Sequence, residues 1–273
     1  MLNNQSPVIF TDLDGTLLDH DDYSFSAATG TLAKLKALNI SVIPNTSKTR
    51  AEVEVLRDKI GLTGPFIVEN GAAIYLPLNF LTNPPLQLEK SGQYLRFAFA
   101  SPRDTWLNLL NSVKPKFEGL FRHFATMTVE QVCEATGLQK TDATLAMQRE
   151  FGEPIEWLGN DEQRQQFIAA LRNLGATPVE GGRFIHLKDE CDKAHAMNWL
   201  MLQLKQQQPQ ENWVSVALGD GQNDAVMLAG ADYPIRILSP SNPPPYIDTQ
   251  KTVITSTLTG PAGWSECLEP LLF

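Results

Sequence analysis

Short apolar strands alternate with helical segments near both ends of this chain, and that alternation limits the folds it can adopt. From the N-terminus the order is strand, helix, strand, helix, strand, at residues 8–10, 28–38, 41–43, 52–60 and 66–68. After a helix that Asp192 can cap, the order returns as strand, helix, strand, at residues 213–218, 225–229 and 235–238. This order predicts an α/β fold: a Rossmann-like, doubly wound parallel sheet covered by helices.

A long stretch in the middle of the chain breaks the alternation. It carries aromatic-rich short strands, of which residues 94–99 are one, and two or three helices, which is typical of an inserted α+β domain. The chain is expected to end in a helix over residues 262–272, which Pro270 would shorten. The predicted domains are a Rossmann-like core of residues 1–85 and 186–273 and an α/β cap domain of residues 86–185.

Charge and composition argue against several kinds of partner. The 273 residues carry a net charge of −9, so no overall positive field attracts nucleic acid. The N-terminal sequence MLNNQSPVIF has neither the basic region of a signal peptide nor a long apolar run, and we expect no membrane span. Three widely spaced cysteines favour a reduced, cytoplasmic protein over a disulfide scaffold.

Polar residues follow several of the predicted strands at the point where each strand ends, and one lysine begins a predicted helix. Ligands of parallel α/β sheets bind at the carboxyl ends of the strands, so we expect these side chains to meet in one crevice. The residues concerned are Asp12, Asp14, Thr46, Lys193, Asp220 and Asp224.

Several carboxylates gathered at one point repel one another. At about 4 Å and an effective dielectric constant near 20, each ionised pair costs about 4 kcal/mol. A divalent cation removes this cost, and carboxylates together with a backbone carbonyl and water suit Mg²⁺. Mg²⁺ is therefore the expected cofactor, and Lys193 and the Thr46 hydroxyl can hold the remaining oxygens of a bound phosphate group.

A carboxylate in this place can also act as a nucleophile. Attack by Asp12 on a phosphoryl group gives an aspartyl-phosphate, and Asp14 can protonate the leaving oxygen and later deprotonate the attacking water. Gly15 permits the tight turn that lets both carboxylates face one point. The alternatives are an ordinary acidic turn or a calcium loop. An EF-hand loop requires glycine at its sixth position and glutamate at its twelfth, and the sequence has neither when counted from Asp12 or from Asp220.

The run Asp12-Leu13-Asp14-Gly15-Thr16 resembles the first motif of the haloacid dehalogenase-like hydrolase superfamily. Thr46 is similar to the second motif, Lys193 to the third, and Gly219-Asp220-Gly221-Gln222-Asn223-Asp224 to the fourth. The order and strand context of these motifs agree with that superfamily. An aspartate at the position of Asp14 is typical of its phosphatases and phosphomutases.

This resemblance implies a role for each matching residue. Asp12 is the nucleophile and Asp14 the general acid and base. Mg²⁺ is held by the carboxylates of Asp12 and Asp220 and by the backbone carbonyl of Asp14, with Asp224 in support. The residues implied to bind the phosphate group are Thr46, Ser47, Lys193 and Asn223.

The predicted insertion resembles the larger α/β cap of the Cof-type branch. Segments similar to mannosyl-3-phosphoglycerate phosphatases lie at residues 46–50, 69–72, 148–154, 181–186 and 260–264. The resemblance implies substrate contacts for Arg149, Glu150 and Arg183. For Arg183 the alternative is an exposed side chain after a Gly181-Gly182 hairpin turn, and for Arg149 and Glu150 it is a pair on a helix surface.

The resemblance thus implies a Mg²⁺-dependent phosphoric monoester hydrolase that converts mannosyl-3-phosphoglycerate to mannosylglycerate and phosphate, as in mannosylglycerate biosynthesis. The first alternative keeps this chemistry with glucosyl-3-phosphoglycerate or another small sugar phosphate. A phosphomutase is less favoured because it must exclude water. A non-catalytic sugar-phosphate-binding protein is the alternative of another class, and the intact set of carboxylates and Lys193 argues against it.

Overall fold

The computed structural model describes residue 2 and residues 4–181, 183–241 and 243–273. Its strands, in chain order, are β1 (Ser6–Thr11), β2 (Val42–Pro44), β3 (Phe66–Val68), β4 (Ala73–Pro77), β5 (Glu89–Ser91), β6 (Tyr94–Ala98), β7 (Phe121–His123), β8 (Glu153–Trp157), β9 (Val179–Gly181), β10 (Phe184–Leu187), β11 (Trp213–Gly219), β12 (Tyr233–Leu238) and β13 (Ile254–Thr259). Its α-helices are α1 (Thr29–Ala37), α2 (Arg50–Ile60), α3 (Arg103–Val113), α4 (Val129–Thr136), α5 (Lys140–Ala146), α6 (Asp161–Asn173), α7 (Lys193–Gln207), α8 (Ala225–Gly230) and α9 (Gly260–Leu272).

The chain divides into two compact units. The first unit comprises Met1–Ser47, Leu56–Phe97 and Asp192–Phe273, and the second comprises Lys48–Val55 and Ala98–Cys191. The first half of α2 therefore belongs to the second unit and its last turns to the first.

A five-stranded parallel sheet forms the centre of the first unit, in the order β13-β12-β11-β1-β2. This confirms the predicted α/β class with a parallel central sheet. The chain leaves β1 for β2 on one side, while β11 pairs with β1 on the other side, so the strand order reverses at β1. In such sheets the crevice at the carboxyl ends of the strands beside the reversal is where ligands bind.

The second half of strand β1 is buried. Ile9 and Phe10 have no exposed surface, and each such side chain contributes about 1.5–3 kcal/mol when it leaves water. The indole Nε1 of the buried Trp264 donates to the hydroxyl of Thr11 at 3.1 Å, which fixes α9 to the end of β1. Asp12 therefore directly follows a rigid strand.

The C-terminal segment differs from the prediction in two ways. Helix α9 continues past Pro270 to Leu272, because a proline in the last turn removes only its own backbone donor, and the amide of Phe273 still donates to the carbonyl of Glu269 at 3.0 Å. Strand β13 was not predicted. Its sequence, ITSTLT, is mostly polar and its residues are mostly exposed, so it lacks the apolar run that marks a buried strand.

A second, four-stranded sheet in the first unit has the order β3-β4-β6-β5. The prediction for β3 holds in part: Ile67 forms an isolated parallel bridge with Asn45 after β2, but β3 as a strand pairs antiparallel with β4. Strand β6 belongs to this unit and not, as predicted, to the insertion. An aromatic cluster joins β3, β4 and β6. The ring of Phe66 lies 5.1 Å from the rings of both Tyr75 and Tyr94, and such contacts between distant segments leave no local pattern in the sequence.

The second unit is built on an antiparallel sheet in the order β7-β8-β10-β9. Helices α3 and α6 pack on it through Trp106, Leu110 and Phe167, which form one apolar core with Ile155 and Ile185. Helices α4 and α5 form a smaller cluster of their own. The described residues of the inserted stretch thus form four α-helices, α3 to α6, where two or three were predicted, because α4 and α5 are only eight and seven residues long.

A buried carboxylate joins β8 to neighbouring elements of the second unit. One oxygen of Glu153 lies 2.7 Å from His123 Nδ1 and accepts from the amide of Ala125 at 2.8 Å, and the other accepts from Arg103 Nε at 2.5 Å. Burial by itself raises the pKa of Glu153, but the hydrogen bonds from His123 and Arg103 and the charge of Arg103 outweigh burial and lower it. Glu153 therefore stays ionised in the folded protein.

We expect Glu153→Gln to lower the free energy of unfolding by about 3 kcal/mol, since it leaves the largely buried charge of Arg103 without its counterion. Because the folded-state pKa lies below the ordinary value of 4.5, the contribution of Glu153 is complete above that value and disappears as the pH falls through the folded-state pKa. Urea unfolding of both proteins at neutral and acidic pH measures this, and the difference between them should shrink on acidification.

The matched control is Glu180→Gln, which removes an exposed partner of Arg164 at 2.9 Å. Exposed ion pairs contribute at most about 1 kcal/mol, so this variant should remain close to the wild type. Equal losses in the two variants would contradict the special role given to Glu153.

Candidate active site

The first carboxylate of the site follows directly from the end of β1. The amide of Asp12 donates to the carbonyl of Leu218 at 2.9 Å, which continues the ladder between β1 and β11, and the side chain of Asp12 is buried. Asp14 lies two residues further along, is half buried and forms an isolated bridge with Leu18. The structure thus holds both carboxylates in the tight turn predicted from Gly15.

Gly15 allows this turn to lie against the loop that follows β11. Its φ of +73° falls in the left-handed region, and a Cβ atom at this position would lie 2.6 Å from Oδ2 of Asp220. The hydroxyl of Thr16 donates to Oδ1 of the same carboxylate at 2.8 Å. The sequence motif contained Thr16 but gave it no role, and its contact fixes the orientation of Asp220.

Lys193 is fully buried at the first residue of α7, and it pairs with two carboxylates. Its Nζ lies 2.8 Å from Oδ1 of Asp12 and 2.6 Å from Oδ1 of Asp224. Burial alone lowers the pKa of Lys193, but the charges of Asp12 and Asp224 and their hydrogen bonds outweigh it and raise the pKa. The ammonium group is therefore charged at neutral pH.

Two neighbouring side chains fix the backbone around Lys193. Asp192 caps α7, because its side chain accepts from the amide of His195, as the sequence predicted. The side-chain amide of the buried Asn45, one residue after β2, donates to the carbonyl of Lys193 at 2.9 Å. Sequence reasoning missed Asn45, although its position beside Thr46 could have indicated it.

Asp220 and Asp224 follow β11 and complete the carboxylate group. Oδ2 of Asp224 accepts from the amides of Asp220 and Gly221 at 3.1 and 2.9 Å, which closes the loop. Burial raises the pKa of Asp220, as does the charge of Asp12, although Thr16 and Lys193 oppose the shift. Burial and the charge of Asp12 also raise the pKa of Asp224, to about 7, and the ion pair with Lys193 offsets this only in part.

These three carboxylates fit a divalent cation. Oxygen atoms of Asp12, Asp220 and Asp224 lie within 4.8 Å of one another, and they are the one such group found among the described residues. All three are buried, all offer oxygen, and a single lysine balances them, so a hard cation such as Mg²⁺ matches both the donor type and the excess negative charge. The side chain of Asp14 lies outside this group.

The predicted phosphate-binding residues lie around the same strand ends. Thr46 is buried two residues after β2, next to the strand that carries Asp12, whereas Ser47 and Asn223 are exposed. Thr49, and not Thr46, caps the helix α2 that follows. The Thr49 hydroxyl accepts from the amide of Glu52 at 3.2 Å, and the Thr49 amide donates to the carboxylate of Glu52 at 2.8 Å.

The predicted substrate residues of the insertion lie in the second unit. Arg149 and Glu150 follow α5 in a loop, so a pair on a helix surface is not what the structure contains. Nε of Arg149 donates to the carbonyl of Gly152 at 3.1 Å, and Glu150 lies 3.9 Å from Arg50. Arg183 is exposed and donates to the carbonyl of Ala135 at 2.8 Å. Gly182, of the expected hairpin turn, lies outside the described residues.

Comparison with known proteins identifies a family and named relatives. Residues 9–239 match the family model described as haloacid dehalogenase-like hydrolase. Two curated relatives, from Methanococcoides burtonii and Persephonella marina, are each 33% identical over 97% of this chain and 97% of their own length. Both are named glucosyl-3-phosphoglycerate/mannosyl-3-phosphoglycerate phosphatase. A haloacid dehalogenase-like hydrolase structure from Bacteroides thetaiotaomicron superposes with a TM-score of 0.66 at 17% identity, covering 98% of this chain and 100% of that one.

The fold and the site define a hydrolase with a buried acidic centre at the carboxyl ends of a parallel sheet. The chain belongs to the haloacid dehalogenase-like hydrolase family. The family and the names of the relatives confirm the resemblance seen in the sequence and the prediction of a phosphoric monoester hydrolase. Of the helices in the described ranges, none combines the length and apolar character needed to cross a bilayer.

We expect Gly15→Ala to destabilise the protein by more than the cost of a left-handed alanine, which is about 1–2 kcal/mol. The added Cβ would displace the Asp220 carboxylate and break its bond with Thr16. The control is Gly61→Ala, with a φ of +81° and no atom within 4 Å of the added Cβ. Urea unfolding compares the two, and an equal loss would show that the close approach of Gly15 to Asp220 is not a constraint.

Proposed function

We propose that this chain is a Mg²⁺-dependent phosphatase that hydrolyses mannosyl-3-phosphoglycerate to mannosylglycerate and phosphate through an aspartyl-phosphate on Asp12. The observation that carries the proposal is the contact of the buried Lys193 with both Asp12 and Asp224 at the strand ends. The names of the two relatives support this class of substrate, and they make glucosyl-3-phosphoglycerate the main alternative.

Asp12 and Asp14 carry the two chemical steps of the proposed reaction. An oxygen of Asp12 attacks the phosphorus, the bond to the glycerate oxygen breaks, and Asp14 gives its proton to that oxygen. Asp14 then takes a proton from water as the water attacks the phosphorus, which releases phosphate and restores Asp12. The half-buried position of Asp14, two residues from the buried Asp12, suits a group that exchanges protons with substrate and water.

The remaining residues of the site bind the phosphate group and the cation. Lys193 stays charged beside Asp12 and holds a phosphoryl oxygen, together with Thr46, Ser47 and Asn223. Mg²⁺, when bound by Asp12 and Asp220, the carbonyl of Asp14 and the supporting Asp224, supplies positive charge for the phosphoryl oxygens. Such preorganised charge often gives the largest single contribution to the lowering of the barrier.

For the second unit we propose a role in substrate selection. Arg149, Glu150 and Arg183 are assigned to the sugar and glycerate part of the substrate. The guanidinium of an arginine matches a carboxylate in two parallel hydrogen bonds, which suits the glycerate carboxylate. The ion pair of Glu150 with Arg50 and the hydrogen bond from Arg149 to Gly152 give this loop a defined conformation.

We expect Asp12→Asn to lower the rate of phosphate release roughly a thousandfold or more, because the amide is not a nucleophile. Asp14→Asn should still react with p-nitrophenyl phosphate, whose leaving group needs no proton, and should then accumulate the aspartyl-phosphate. Phosphate release and the mass of the intact protein measure the two effects. The control is Asp21→Asn, an exposed carboxylate of the same segment. Wild-type phosphate release by Asp12→Asn would refute the nucleophile.

The substrate is tested with a panel that contains mannosyl- and glucosyl-3-phosphoglycerate and other small sugar phosphates. The highest kcat/KM of the wild type should be for mannosyl-3-phosphoglycerate, and a higher value for the glucosyl ester would reassign the sugar. Transfer of the phosphoryl group to another sugar position would identify a mutase. Binding without release from any member, in the folded and Mg²⁺-loaded protein, would favour the non-catalytic alternative.

Mg²⁺ should stabilise the wild type by about 2.7 kcal/mol at a hundred times its dissociation constant. Asp220→Asn should lose this gain, yet be no less stable without Mg²⁺. The raised pKa of Asp220 means that the folded site favours the neutral carboxyl, which asparagine imitates. Thermal unfolding with MgCl₂ and with EDTA measures both. A full Mg²⁺ effect in Asp220→Asn would contradict the assigned ligand set, and Asp21→Asn is again the control.

A further inference from the structure

The turn between β3 and β4 has an unusual backbone. Glu69, Asn70 and Gly71 all have positive φ angles, of 48°, 58° and 89°. Residues other than glycine adopt this region infrequently, and usually as single residues. A run of three persists only where the surrounding structure holds it, and such strain is concentrated at functional sites. The question is therefore what this turn contacts.

The turn contacts three segments that carry residues of the proposed phosphate site. The amide of Asn70 donates to the carbonyl of Thr46 at 2.9 Å. The side-chain oxygen of Asn70 lies 3.3 Å from Nδ2 of Asn223, which donates to it. The α-carbon of Gly71 lies so close to the start of α7 that a Cβ atom there would be 2.0 Å from the carbonyl oxygen of Asp192. One turn thus connects the loops of Thr46, Lys193 and Asn223.

The hydrogen bond between Asn223 and Asn70 restricts an exposed side chain. Asn223 is exposed and lies in the short 3-10 turn Gln222–Asp224. An exposed amide samples several rotamers, and ordering it on binding costs entropy. A partner that already holds the amide removes part of that cost before the ligand arrives.

We propose that Asn70 is a positioning residue for the phosphate group, acting through Asn223. Its side chain orients the Asn223 amide, while its backbone holds the Thr46 segment at the required place. The proposal rests on the proposed function, because it assumes that Thr46 and Asn223 bind the phosphate group. Asparagine suits the position because it tolerates a left-handed backbone and also offers a carbonyl oxygen to Asn223.

The variant that isolates the side chain is Asn70→Gly. Glycine adopts a φ of 58° without strain, so the amide bond to Thr46 and the approach of Gly71 to Asp192 remain. The side-chain contact with Asn223 is removed. The matched control is Asn39→Gly, which changes another left-handed asparagine, with a φ of 55°, in the exposed turn before β2 at the opposite end of that strand.

The experiment measures the dissociation constant of inorganic phosphate by calorimetry, with MgCl₂ present, in the wild type and the variants. We expect Asn70→Gly to raise this constant about tenfold, which is the usual effect of one hydrogen bond near an ionic ligand. Asn223→Ala should have a similar effect. Because Asn70 acts through Asn223, the double variant should lose no more than the weaker-binding single variant. The thermal midpoint of Asn70→Gly should stay close to that of Asn39→Gly.

The outcomes separate this proposal from the proposed function. An unchanged phosphate constant in Asn70→Gly, or losses that add in the double variant, would overturn the positioning role. A lower thermal midpoint without a change in the phosphate constant would show that the turn is only structural, and it would overturn the role as well. If the wild type binds phosphate as expected but hydrolyses no member of the substrate panel, the proposed function fails while the role of Asn70 in binding stands. Absence of phosphate binding by the wild type would refute both.

Discussion

The buried ammonium group of Lys193 is the interaction on which the first unit depends. It lies within 2.8 Å of Asp12 and 2.6 Å of Asp224, and these carboxylates belong to segments that follow two different strands, β1 and β11. Without a cation between them, two buried carboxylates would repel each other strongly. Two further contacts fix the backbone of Lys193: Asp192 caps its helix, and the side-chain amide of Asn45 donates to its carbonyl. A charge that is held so firmly binds an incoming anion without reorganisation.

Close backbone packing brings the carboxylates together around this lysine. Gly15 and Gly71 lie where a Cβ atom would collide with Asp220 or with the backbone of Asp192, so the loops approach more closely than side chains would allow. The strain in the turn of Glu69 and Asn70 and the repulsion among the carboxylates both oppose folding. The apolar residues of β1 and the anchoring of Trp264 on Thr11 offset these costs. The protein thus stabilises a strained and highly charged site with a rigid neighbouring core.

The second unit also contains a buried charge that is stabilised by hydrogen bonds and an ion pair. Its buried Glu153 accepts hydrogen bonds from Arg103 and Ala125 and contacts His123, and so joins β8 to the start of α3 and to the end of β7. The loop with Arg149 and Glu150 directly precedes β8, and Arg103 holds it by donating its side chain to the carbonyl of Met147 and its amide to that of Glu150. An ionised group inside a protein is tolerated only when its hydrogen-bonding capacity is satisfied, as it is here.

The sequence by itself determined the class of fold and the chemical type of the site. Alternating apolar runs of fixed period record which face of each element is buried, and carboxylates at strand ends need only the parallel sheet to converge. The tertiary structure decided what depends on contacts between distant segments. The antiparallel pairing of β3, the position of β6, the exposed strand β13, the left-handed turn at Asn70 and the roles of Thr16 and Asn45 were of this kind. A local pattern carries information about burial, whereas a hydrogen bond or an aromatic contact between residues far apart in the chain forms only after the core has brought them together.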